Sequence, residues 1–219
     1  MNDATVFVFA TVAEARPLLD TFDAQALRDT ALSMYGLDDA LLLICGSGPA
    51  AAGAAIDRLA LEYHPRRVVL GGLARRLHGG LPVGGIAQIG AAAFDRSHRT
   101  TYVPVSRLAH TDLAGVHGDC TLLSCATAPL DAGERVRLAM FADLIDGEGA
   151  AVAGACVQHG LECAIFKVVG EYAGERALSA GMSAELNTRL GGFLLEHYRW
   201  LIAADEYREA RRATAGGAL

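Results

Sequence analysis

Short apolar runs alternate with helical patterns along the whole chain, and most of them end on glycine or a small polar residue. Thr5–Ala10 (TVFVFA), Leu41–Cys45, Arg67–Leu70, Ile86–Phe94, Cys120–Cys125, Leu144–Asp146 and Cys163–Val169 read as buried strands. Thr11 caps a helix that carries Glu14 and Pro17. Gly46-Ser47-Gly48-Pro49 opens another over Ala50–Tyr63, with Ile56, Leu59, Ala60 and Tyr63 on one face. Further helices are expected over Ala132–Ala142, from Gly149 to His159, and from Ala180 to Ala210 with a break at Gly191-Gly192. Strands separated by helices imply a largely parallel sheet covered on both faces. The pattern shows no linker and no repeat, so a single domain over residues 1–207 is expected, with a polar tail from Arg208 to Leu219.

Composition excludes several alternatives. Of the 219 residues 52% are hydrophobic, too many for a disordered chain. The acids outnumber the bases, 25 to 19, which argues against a nucleic-acid partner. No uncharged apolar run is long enough to span a membrane. Thr5–Ala10 is too short for a signal-peptide core and follows Asp3 where a basic region would stand. Cysteine is odd in number (Cys45, Cys120, Cys125, Cys156, Cys163), forms no CxxC, and sits mostly in apolar runs. Reduced thiols in a cytoplasmic protein are the expectation.

In an open α/β sheet, ligands bind beyond the carboxyl ends of the strands. Those ends carry Ala10-Thr11 leading to Glu14, Gly46-Ser47-Gly48, Gly71-Gly72-Leu73-Ala74, Gly147-Glu148, and Gly170-Glu171. Three carboxylates, Glu14, Glu148 and Glu171, thus fall on one rim. Each has an ordinary alternative: Glu14 complements a helix dipole, and Glu171 is a solvated turn acid. Glu148 is more informative, because it stands between two glycines ahead of Ala150-Ala-Val-Ala153, where an idle charge is costly. Gly46 and Gly48 let backbone approach an anion or a sugar, but they complete neither a dinucleotide fingerprint nor a P-loop. His98, His110 and His117 have no metal-ligand spacing, so no metal and no cofactor are expected. Arg75 and Arg76 follow a rim strand and could meet an acidic group.

Taken in order, these fragments resemble the nucleoside phosphorylase/nucleosidase superfamily. The nearest branch is that of methylthioadenosine/S-adenosylhomocysteine nucleosidase, futalosine hydrolase and adenosylhopane nucleosidase. The resemblance runs over residues 5–200 through Val6–Glu14, Cys45-Gly-Ser-Gly48, Val69–Leu77, Leu81–Gly84, Ile145–Ala153 and Phe166–Glu171. It implies a three-layer α/β/α sandwich with a mixed, largely parallel sheet, a small-molecule nucleoside as partner, and a homodimer. It also implies roles: Glu148, with Gly147 in place of the family's methionine, on the ribose hydroxyls; Glu171 as the acid that protonates the purine; Glu14 as activator of water. An alignment on Leu18-Leu19 puts Ala15 at that last position instead.

Lys167 stands where the family has an arginine, keeping the charge but losing the bidentate fork. Gly72, Leu73, Gly46 and Gly48 would line the substrate site. The chain departs from the family at Leu73, which replaces a serine, at Arg75-Arg76, and in Ala126–Leu130, which has no aromatic for the base. The resemblance implies a purine-nucleoside N-ribosyl hydrolase. Its rivals are a catalytically lapsed nucleoside-binding protein and a phosphorolytic or adenosylhopane-type relative.

Overall fold

The computed structural model describes residues 4–28, 30–96, 99–105, 115–126, 131–175 and 178–202. The expected tail 208–219 lies outside the described residues. The strands are β1 (Thr5–Phe9), β2 (Gln25–Ala26), β3 (Ser33–Gly36), β4 (Leu41–Ile44), β5 (Arg67–Arg76), β6 (Ile86–Arg96), β7 (Arg99–Pro104), β8 (Val116–Ser124), β9 (Leu144–Asp146) and β10 (Glu162–Tyr172). The helices are α1 (Val12–Thr21), α2 (Pro49–Tyr63), α3 (Ala132–Leu138), α4 (Gly149–His159) and α5 (Ala180–Glu196). As expected, this is a mixed α/β sandwich. The strand order is β10-β6-β8-β9-β5-β1-β4-β3-β2, and β10 also pairs with β5, so one end of the sheet closes on itself. Pairings β1–β4, β1–β5, β5–β10, β6–β8 and β8–β9 are parallel; β3–β4, β5–β9 and β6–β10 are antiparallel.

The period-two alternation of the strands divides the core. Val6 and Val8 of β1, with Cys163, Ile165 and Val169 of β10, pack in one cluster with Ile56 and Leu59 of α2 and Val152 of α4. Phe7, Phe9, Phe166 and Val168 face the other way, against Leu18 of α1 and Leu190 and Leu194 of α5. Lys167 falls on the first of these faces by alternation, where its neighbours in sequence are apolar.

Two expectations are corrected by packing. The strand expected to stop at Leu70 runs on through Gly71-Gly72 to Arg76, because β10 pairs with it along that length. Glycine is required at 71: a Cβ there would lie 2.5 Å from Phe9 Cε1. The long C-terminal helix is not interrupted at Gly191-Gly192 but continues to Glu196. Gly191 serves close approach, since a Cβ there would lie 2.3 Å from Pro17 Cβ on α1. We expect Gly191→Ala to lower stability by about 1–3 kcal/mol despite alanine's better helix propensity, because the proline ring cannot swing away. Urea unfolding checks this: the midpoint should fall with the slope unchanged.

Asp143 ties the start of β9 to its surroundings. One carboxylate oxygen accepts from Thr121 N at 2.7 Å and Thr121 Oγ1 at 2.8 Å, and the other lies 2.8 Å from His78 Nε2. Gly80 N donates to His78 Nδ1, so Nε2 carries the proton that faces Asp143. Burial pushes the Asp143 carboxyl up, but the Thr121 bonds and His78 together outweigh it and hold the group below its usual range. The stability that Asp143 contributes is therefore present above about pH 4 and lost as pH falls through its depressed folded value. Asp143→Asn should cost about 1.5 kcal/mol at pH 7 and flatten the acid limb of a stability-against-pH curve.

Candidate active site

The ends of β1, β4 and β9 and the middles of β5 and β10 converge on one group of charges. Thr11 caps α1, and Glu14 answers it: its Oε2 accepts from Thr11 N at 3.0 Å and Thr11 Oγ1 at 3.1 Å. That capping box turns the other carboxylate oxygen, Oε1, toward β5, where Leu73 N donates to it at 3.3 Å. A glutamate read as an ordinary dipole complement is thus also a bridge to the middle of β5.

Gly46 and Gly48 have φ of 83° and 89°, which only glycine adopts without strain, and they bend the chain from β4 into α2. The turn points Gly48 N at Glu148, whose Oε1 accepts from it at 2.7 Å. Glu148 stands at the N-cap of α4 without capping it. The cap is supplied from elsewhere: Asp146 accepts from Gly149 N at 3.0 Å, and Ser124 Oγ accepts from Ala150 N at 2.8 Å. Ser124 Oγ in turn donates to Asp146 Oδ1.

Asp146 Oδ2 lies 2.8 Å from Lys167 Nζ, and both side chains are only 2% exposed. A Cβ placed on Gly72 would lie 3.0 Å from Lys167 Nζ and 3.3 Å from Glu14 Oε1. Both charges therefore lie against Gly72, where no side chain would fit without displacing them. Burial works against the Lys167 charge, but Asp146, Glu148 and Glu14 outweigh it and keep the ammonium above its usual range. Glu148 is pushed up by burial, with Asp146 and Glu14 adding, while Gly48 N and Lys167 pull back. The Cys45 thiol, buried beside Glu148, is pushed up to about 12 and stays neutral.

The structure thus brings Glu14, Glu148, Lys167, Gly46, Gly48, Gly72 and Leu73 together. Gly147 adjoins them but fills no tight space, since a Cβ there would come no nearer than 3.9 Å to Gly48. Glu171 stands apart, toward the rim at the irregularity between Gly170 and Tyr172. Its side chain is 38% exposed and lies 3.7 Å from an Arg76 guanidinium nitrogen. That guanidinium also covers the Tyr172 ring at 4.1 Å and donates to Leu81 O. Arg75 donates to Glu175 O.

Asp146 and Ser124 were not singled out from the sequence. The signal was Lys167 itself: a lysine inside Cys163–Val169 needs a buried counter-charge, and Asp146 ends the apolar strand Leu144-Ile145. His98, His110 and residues 127–130 of the expected base segment lie outside the described residues. His117 lines a surface cavity with His78 and Asp119. Among the described residues no group of three or more histidine, cysteine or acidic side chains is placed to hold a metal. None of their helices is long and apolar enough to cross a membrane.

No family model matches the chain, and no curated relative does. Solved structures do. The 5′-methylthioadenosine/S-adenosyl homocysteine nucleosidase of Campylobacter jejuni superposes with a TM-score of 0.77 at 15% identity, covering 89% of this chain and 98% of that one. The Helicobacter pylori enzyme of that name, with butyl-thio-DADMe-Immucillin-A, gives 0.77 at 15%, covering 91% and 99%. A futalosine hydrolase mutant of Helicobacter pylori gives 0.74 at 15%, covering 88% and 96%. At such identities the likeness is one of fold: the chain has the nucleoside phosphorylase/nucleosidase fold.

Proposed function

We propose that the chain is a purine-nucleoside N-ribosyl hydrolase that cleaves the N-glycosidic bond of an adenosine-type nucleoside. The observation that carries this reading is the convergence of Glu14 and Lys167 on Gly72, with Glu148 held beside them by Gly48 N. Breaking the C1′–N9 bond leaves an oxocarbenium-like sugar, which a net negative, water-poor site stabilises. Glu148 accepts from the ribose hydroxyls. Water adds to C1′ and gives its proton to Glu14. The bonding pair leaves with the purine, which takes a proton at N7 from Glu171. For that last step Glu171 must leave Arg76 and take up a proton from solvent, which it then passes to N7. We place the enzyme in the cytoplasm as a homodimer; the thiols of Cys45, Cys120, Cys156 and Cys163, none of them in a disulfide, agree with a reducing compartment.

The contact between Arg76 and Glu171 favours a second reading, a nucleoside-binding protein that has lost turnover. Purine release from methylthioadenosine, adenosylhomocysteine, adenosine and futalosine, with and without phosphate, decides between them. Phosphate-independent release supports the hydrolase. Binding of one of these nucleosides without release of its base supports the lapsed protein.

A further inference from the structure

Asp146 is fixed on every side before it meets Lys167. Its carboxylate accepts from Ser124 Oγ and from Gly149 N, and Ser124 is itself held by Ala150 N. Those two backbone N–H groups are the open N-terminal end of α4, so the helix dipole and Lys167 both act on the carboxylate. Stability does not require such an arrangement, because apolar side chains of similar volume would fill two positions this deeply buried at no loss. What the pair supplies is a charge at a fixed point. The ammonium that Asp146 holds and Glu14 Oε1 both lie against Gly72, 3.0 Å and 3.3 Å from where a Cβ would stand.

We propose that Asp146 is the positioning residue of this site: it anchors the Lys167 ammonium, which in turn keeps Glu14 and Glu148 in place as two separate anions. The inference rests on the hydrolase reading, in which those anions serve the water and the ribose. The groups facing Lys167 and Glu148 are Asp146 from β9, Glu14 from α1, and the neutral Cys45 thiol at the end of β4. Removing Asp146 takes one like charge away from Glu148 and leaves the ammonium to the two remaining carboxylates. Removing Lys167 takes away the cation that they share. The two substitutions must therefore move Glu148 in opposite directions, a signature that loss of packing alone does not produce.

The test is a carboxyl titration by NMR of the full chain carrying 13C-labelled glutamate, with the Glu148 signal assigned through Glu148→Gln. Asp146→Asn should move the Glu148 midpoint to lower pH. Lys167→Met should move it to higher pH, and the double variant should return it toward wild type. Asp146→Asn keeps the shape of the side chain and an oxygen for Gly149 N and Ser124, so it carries the test if Lys167→Met does not fold. In parallel, with methylthioadenosine as substrate, Asp146→Asn should lower kcat about 10- to 100-fold with KM within about threefold. An unmoved Glu148 midpoint with unchanged kcat overturns the proposal. Opposite shifts in the two variants, with a wild-type protein that cleaves none of the four nucleosides, support the anchor and overturn the hydrolase reading instead.

Discussion

Replacing Glu148 with glutamine is expected to lower kcat/KM for nucleoside cleavage by at least about 100-fold while leaving the melting temperature unchanged or raised. The two halves of this result have separate causes. Glutamine keeps a carbonyl oxygen for Gly48 N, the hydrogen bond that holds the loop after β4 against α4. It removes an anion that is half-buried and stands near Asp146 and Glu14, both of which oppose its charge. Folding therefore loses little and is relieved of a repulsion. Catalysis loses the negative charge on which the sugar cation depends and the acceptor strength that orders its hydroxyls. A site kept for function at a cost in stability behaves in this way. A parallel fall in activity and melting temperature would make Glu148 a structural residue and remove it from the mechanism.

The layers of the fold were legible in the sequence because most strands are short apolar runs and each helix follows a glycine or a cap; β2, β3 and β7, which are short or polar, carry no such signal. Thr11 illustrates this: the cap expected from its position forms, and the glutamate three residues later completes it. The site was legible where polar residues interrupt that pattern, as at Glu148 and Gly46-Ser47-Gly48. It was less legible where a side chain's direction depends on a distant partner. Whether Glu14 faces solvent or β5 is decided by Leu73 N, and Asp146 acquires its meaning only through Lys167 on another strand. Glycine misled for a related reason. Gly71 and Gly191 look like breaks, but each serves close approach within a continuous element, to Phe9 and to Pro17. No local rule distinguishes those two uses.

Lys167→Met should be the most destabilising single change at the site, costing about 3–5 kcal/mol at pH 8, a large share of the 5–15 kcal/mol typical of a domain. The cost lies in what is left behind. Asp146 has no route to water, and without the ammonium its carboxylate keeps only Ser124 and the end of α4. Arg67 provides a contrast. It is fully buried and donates to Glu162 and to Leu201 O, but Glu162 is 23% exposed and can rehydrate when its partner is removed. Arg67→Met should accordingly cost less than Lys167→Met.

The pH dependence separates an uncompensated charge from a simple loss of packing. In Lys167→Met the folded state favours a protonated Asp146, whereas the unfolded chain ionises it above about pH 4. The folded state then binds more protons, so its stability falls as pH rises. Urea unfolding should show the deficit against wild type growing between pH 5 and pH 8, and Asp146→Asn in the same chain should abolish that growth. A deficit equal at both values would mean that the methionine packs badly and that no buried charge was stranded.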